Sequence, residues 1–77
     1  MGIDYIEVNF TCRPFNADEM DILAAFLCEF GYESFVTTDS GMKAYINKDV
    51  YQSHDIATAL QCYAFSAKIS WDVSEIK

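Results

Sequence analysis

Cations are scarce in this 77-residue chain. Five Lys and Arg stand against twelve Asp and Glu, a formal net charge of −7 with a sequence pI near 4.2. A nucleic-acid surface needs clustered Lys and Arg to replace counterions on phosphates, so direct RNA or DNA binding is not expected. There is one histidine, His54. The three cysteines, Cys12, Cys28 and Cys62, are odd in number and no pair is spaced C-x-x-C. A disulfide framework or a zinc site is therefore not expected, and the thiols read as reduced core or near-core residues of a cytoplasmic protein. No window approaches the roughly 18 consecutive apolar residues of a membrane span. The N-terminus carries Asp4 and Glu7 and no basic stretch, unlike a signal peptide. Ile6 stands where a myristoylation signal needs Ser or Thr.

What is present is apolar and aromatic. Hydrophobic residues make up 52% of the chain, and six Phe, five Tyr and one Trp can fill a core. That is too much for a disordered acidic tail. A chain this short buries only about 60% of its unfolded surface, enough for one small domain of modest stability over residues 1–77. A separate catalytic domain does not fit beside this core.

Ile3 to Cys12 alternates strictly. Ile6, Val8, Phe10 and Cys12 point one way; Tyr5, Glu7, Asn9 and Thr11 point the other. That is a half-buried strand. Pro14, without an N–H, ends it. Asn16 then reads as an N-cap with Glu19 at capping-box spacing and Phe15 and Met20 as a hydrophobic staple. Asp18, Glu19 and Asp21 favour the helix dipole as a solvated first turn. Met20, Leu23, Leu27 and Phe30 recur at helical spacing, and Gly31 fits the C′ position, so a helix is expected over Ala17 to Phe30.

Glu33 to Thr38 and Met42 to Asn47 are short β runs around Asp39-Ser40-Gly41, a hairpin with a bulge. In its first arm either Phe35 or Val36 could point inward. Ser53 is the expected N-cap of a second helix near His54 to Cys62, with Asp49 and Gln52 offering a competing cap. Phe65 to Val73 alternates again, as a fourth strand. The order β-α-β-β-α-β, with right-handed crossovers, gives an α+β ferredoxin-like sandwich: a four-stranded antiparallel sheet with two helices on one face. The expected core is Ile6, Val8, Phe10, Leu23, Leu27, Phe30, Ala44, Ile46, Ile56, Leu60, Ala67, Ile69 and some hairpin residues. No internal repeat or low-complexity segment is visible. Trp71 to Lys77 reads as the beginning of something longer.

No constellation in the chain carries catalysis, and no catalytic, cofactor-binding or metal residue is expected. His54 lies at a helix start with no nucleophile placed beside it. Asp18, Glu19 and Asp21 lack the alternating oxygen pattern of a calcium loop. A heavy-metal carrier of this shape needs C-x-x-C after the first strand, where this chain has Cys12-Arg13-Pro14-Phe15. Arg13 has no glycine-rich nest around it, as an acylphosphatase would require. RNA-binding sheets of this class stack bases on aromatics of the open face; Tyr5 and Tyr45 could both lie there, but the basic, aromatic consensus of the third strand is missing and the net charge of −7 opposes RNA. The acidic surface and the open sheet face remain as docking sites for a basic partner.

Four segments are similar to one known family. They are Tyr5-Ile6-Glu7-Val8, Asp21-Ile22-Leu23-Ala24-Ala25-Phe26-Leu27, Gly31-Tyr32-Glu33-Ser34-Phe35-Val36 and Gly41-Met42-Lys43-Ala44-Tyr45-Ile46. Together they resemble the N-terminal domain of the ribosomal protein L-eleven methyltransferases, especially the Bacteroidetes branch. The resemblance implies a substrate-recognition domain belonging to a longer protein. Its catalytic domain binds S-adenosylmethionine and methylates lysine and N-terminal amines of the large-subunit ribosomal protein L-eleven. It implies no cofactor in this segment; a cytoplasmic location, no membrane and a monomer are the further expectations for the chain. Catalytic residues of the family have no counterpart here. From alternation alone, the expected contact surface is Tyr5, Glu7, Asn9 and Tyr45. The competing class is a small-molecule regulatory module of the same fold, of the ACT type, although its ligand loop usually contains a glycine that Cys12 to Asn16 lacks.

Overall fold

The computed structural model describes residues 4–76. The chain runs β1 (Tyr5–Arg13), α1 (Ala17–Glu29), β2 (Ser34–Thr37), β3 (Gly41–Asn47), α2 (Ser53–Gln61) and β4 (Lys68–Ile76). The strands form one antiparallel sheet in the order β2-β3-β1-β4. This is the ferredoxin-like α+β arrangement that the element order predicts. The expected strand position of Ile3 lies outside the described residues.

The alternation of β1 decides the layers. Ile6, Val8, Phe10 and Cys12 are buried against Met20, Leu23 and Leu27 of α1, Ile56 and Ala59 of α2, and Met42, Ala44 and Ile46 of β3. Each fully buried side chain of this size contributes about 1.5–3 kcal/mol. Both helices therefore lie on one face, and the other face of the sheet is open. Phe35 is opposite Ala44 and takes the inward side of β2, while Val36 is 51% exposed on the open side.

Helix α1 forms as its caps predict at both ends. The Asn16 side chain accepts from the Glu19 amide at 3.0 Å. At the other end Gly31 has φ +101°, its N–H donates to the Cys28 carbonyl, and the Tyr32 N–H donates to the Leu27 carbonyl. These paired bonds are a Schellman motif, and the positive φ is why glycine stands there.

Several expectations are corrected. Glu19 does not close a capping box and is not solvated. It is 6% exposed, and its carboxylate accepts from the Ser66 N–H (2.7 Å), the Ser66 hydroxyl (3.0 Å) and the Ala67 N–H (3.0 Å). Those backbone donors, Ser66 first, hold its carboxyl below the ordinary value. The same bonds explain why β4 begins at Lys68 rather than Phe65: the amides that would start the ladder are taken. The strand then continues past Val73 to Ile76. Ser53 is the first residue of α2, not its cap; Gln52 holds that place without a side-chain bond. Gly41 belongs to β3 instead of the turn. Phe30, Leu60 and Ile69 are only partly buried, whereas Cys12, Met20, Tyr32, Met42 and Ala59 join the core. Cys28 and Cys62 are exposed; all three thiols are free.

Candidate functional site

Strand register turns the open face into a grid. Across β3, β1 and β4, Tyr5 lies between Asn47 and Ile76, Glu7 between Tyr45 and Ser74, and Asn9 between Lys43 and Asp72. Further along, Thr11 lies between Gly41 and Ser70, and Arg13 is opposite Lys68. Ser34 and Val36 of β2 extend the Tyr45 and Lys43 rows. The structure thus brings Tyr5, Glu7, Asn9 and Tyr45 onto one contiguous surface. Rows along a strand are about 6.6 Å apart and neighbouring strands about 4.8 Å apart.

The two tyrosines are anchored by acids. The Tyr45 hydroxyl donates to Glu7 Oε2 at 2.8 Å, directly across the strand pair. That bond, with partial burial and the neighbouring carboxylate charge, raises the Tyr45 phenol above its ordinary value, so it remains a donor. The Tyr5 hydroxyl reaches Glu33 Oε1 in a longer contact of 3.4 Å. Between the rings runs a shallow, mostly apolar groove of about 450 Å³, lined by Tyr5, Ser34, Val36, Tyr45 and Ile76. Alternation placed the tyrosines and Glu7 on this face. Ser34, Val36 and Ile76 were missed, because their place depends on how β2 and β4 register against β3 and β1.

This surface presents phenols, carboxylates and aliphatic carbon, with no nucleophile beside a base. His54, at the start of α2, is exposed, and its nearest charged partner is the neighbouring Asp55 at 3.4 Å. Among the described residues no group of three or more His, Cys, Asp or Glu is placed to hold a metal ion. No helix among them is long and apolar enough to cross a membrane.

No family model and no solved structure matches the chain. Curated relatives do. A Bacteroides fragilis protein named ribosomal protein L11 methyltransferase is 39% identical over 56 residues, covering 73% of this chain and 20% of the relative. Proteins of the same name from Phocaeicola vulgatus (40% over 47 residues, 61% of this chain and 17% of the relative) and Bacteroides thetaiotaomicron (38% over 56 residues, 73% and 20%) are similar in the same way. The chain spans about a fifth of the length of the curated relatives it matches. By sequence, the chain is similar to the ribosomal protein L11 methyltransferases of the Bacteroidales, over a segment about a fifth as long as those proteins.

Proposed function

We propose that this chain is the N-terminal substrate-recognition domain of a ribosomal protein L11 methyltransferase, acting in the cytoplasm. It holds the ribosomal protein while a separate catalytic domain transfers methyl groups from S-adenosylmethionine to lysine and N-terminal amines. The observation that carries this reading is the open sheet face, with two acid-anchored tyrosines beside an apolar groove, on a chain whose relatives are named for acting on a ribosomal protein. A ribosomal protein that binds RNA is basic, and a domain of net −7 attracts it and speeds encounter. Holding a flexible amine near the methyl donor raises its effective concentration without any contribution to the chemistry.

The described residues do not fit the methyl donor. Gly41 is packed against the Phe10 carbonyl and Gly31 against Val50, so neither leaves a backbone cradle for a nucleotide. Methyl-donor chemistry is therefore assigned to the rest of the longer protein.

The test is an amide-shift NMR titration of the labelled chain with purified ribosomal protein L11 at two salt concentrations. Saturable shifts on the rows of Tyr5, Glu7 and Asn9, weaker at high salt, are expected. Absence of shifts at high partner concentration, or shifts confined to the helices, would overturn the reading.

A further inference from the structure

Five cations serve this chain, and two of them are placed where they repel each other. Arg13 and Lys68 are directly opposite in the β1–β4 register, both exposed. Arg13 continues the parity of Tyr5, Glu7, Asn9 and Thr11, so the pair lies on the open face. Directly opposed side chains have Cβ atoms about 4.5–5.5 Å apart, and like charges there are destabilising. Among the described residues no carboxylate is within ion-pair distance of either one. The nearest acid on the face, Asp72, is opposite Asn9, about 13 Å further along the strand.

The opposite end of the face has the opposite sign. Glu7 is held there by Tyr45, and Glu33 stands at the rim within reach of Tyr5. Glu7 and Arg13 are six positions apart on β1, a span of about 20 Å. Between them lie the Asn9 row, where Lys43 and Asp72 flank Asn9 and offset each other in charge, and the low residues Thr11, Gly41 and Ser70. The surface is thus a flat electric dipole with an apolar groove at its negative end.

We infer that the open face binds its protein partner in one direction only, with basic side chains over Glu7 and Glu33 and a carboxylate, about 20 Å away, over Arg13 and Lys68. This rests on the docking role proposed above and adds its orientation. A partner carboxylate relieves the repulsion between the two cations, so their juxtaposition favours the complex over the free domain. A partner landing the other way sets its cations against Arg13 and Lys68, and like-charge contacts of that kind suppress wrong poses.

The experiment compares the wild-type chain with Lys68→Glu and Lys68→Gln. Each is measured for thermal midpoint and for affinity to Bacteroides fragilis ribosomal protein L11. Replacing Lys68 by Glu sets an acid opposite Arg13, so the free chain is expected to melt higher than wild type. Binding is expected to weaken about three- to tenfold, with the Gln variant between the two. A purely structural role for Lys68 moves stability and affinity together; opposite signs are the signature of the inference. Wild-type affinity in Lys68→Glu, with open-face shifts still present, overturns the orientation and leaves the docking face standing. No open-face shifts in the wild-type chain overturn both.

Discussion

Adding a single methyl group at Gly41 should be the most damaging small substitution in the sheet. A Cβ built there stands 1.9 Å from the Phe10 carbonyl oxygen, 2.8 Å from its carbonyl carbon and 3.1 Å from the Thr11 Cα. All three are backbone atoms of β1, an inner strand, so no side-chain rotation relieves the clash. To recover an ordinary separation of about 3.5 Å, β3 must retreat by roughly 1.5 Å at this end. That movement breaks or stretches the Cys12 N–H to Ser40 carbonyl bond (2.7 Å) and the Thr38 N–H to Gly41 carbonyl bond (3.0 Å). Each is worth about 0.5–1.5 kcal/mol, and residual overpacking adds about 1–3 kcal/mol. Gly41→Ala should therefore cost about 2–6 kcal/mol, against a total stability of about 4–12 kcal/mol for a chain this size. Thermal unfolding followed by circular dichroism should show a midpoint lowered by about 10–50 °C. Gly31→Ala is the internal control. There φ is +101° and the new Cβ meets Val50 Cγ1 at 2.7 Å, but Val50 is 47% exposed and can turn aside. Its cost should be only about 1–2 kcal/mol, mainly from the left-handed backbone. A larger loss for Gly31→Ala than for Gly41→Ala would refute the packing argument.

Tyr32 is 4% exposed and its hydroxyl has no hydrogen-bond partner among the described residues, so Tyr32→Phe should stabilise the chain by about 1 kcal/mol. A midpoint raised by about 4–8 °C is expected, and a lowered one contradicts the absence of a partner. Glu19 is held below its ordinary carboxyl value of 4.5, so its contribution is fully present above that pH and is lost as pH falls through the depressed value. Glu19→Gln should be less stable than wild type at pH 7, with the gap narrowing below pH 4.5 in paired melts; a gap independent of pH removes the carboxylate from the explanation.

The parts of the fold that the sequence makes legible are those where a local pattern meets a uniform environment. Strand β1 alternates because the core covers one side along its whole length and leaves the other open, so both layers and the candidate face follow from Tyr5 to Cys12. Helix α1 has its N-cap, its apolar stripe and its terminal glycine in one stretch. Illegible features depend on residues far apart in the chain. Glu19 has the local signature of a capping box, yet its carboxylate is occupied 47 residues away at Ser66. Gly41 looks like a turn glycine because its contact with Phe10 is formed only once β1 and β3 pair. Membership of the candidate face was readable for Tyr5, Glu7, Asn9 and Tyr45. The bond between Tyr45 and Glu7, and the neighbours Ser34, Val36 and Ile76, required the register.

That register depends on Glu19 in a way that links the buried clamp to the exposed face. Strand β4 is an edge strand paired only with β1, and its helix side is poorly covered: Trp71 and Val73 remain 38% and 43% exposed although they are opposite the buried Phe10 and Val8. Apolar burial therefore holds β4 less firmly than it holds β1 or β3. A nine-residue strand with few inward anchors is prone to slip, and a slip of one residue would turn Lys68, Asp72 and Ile76 to the wrong side. The Glu19 carboxylate grips the two amides immediately before Lys68 and fixes where the ladder starts. It thereby sets Lys68 opposite Arg13 and, eight residues later, Ile76 opposite Tyr5. Two ends of the candidate face, the cationic pair and the floor of the groove, are aligned by one buried side chain on a helix that touches neither.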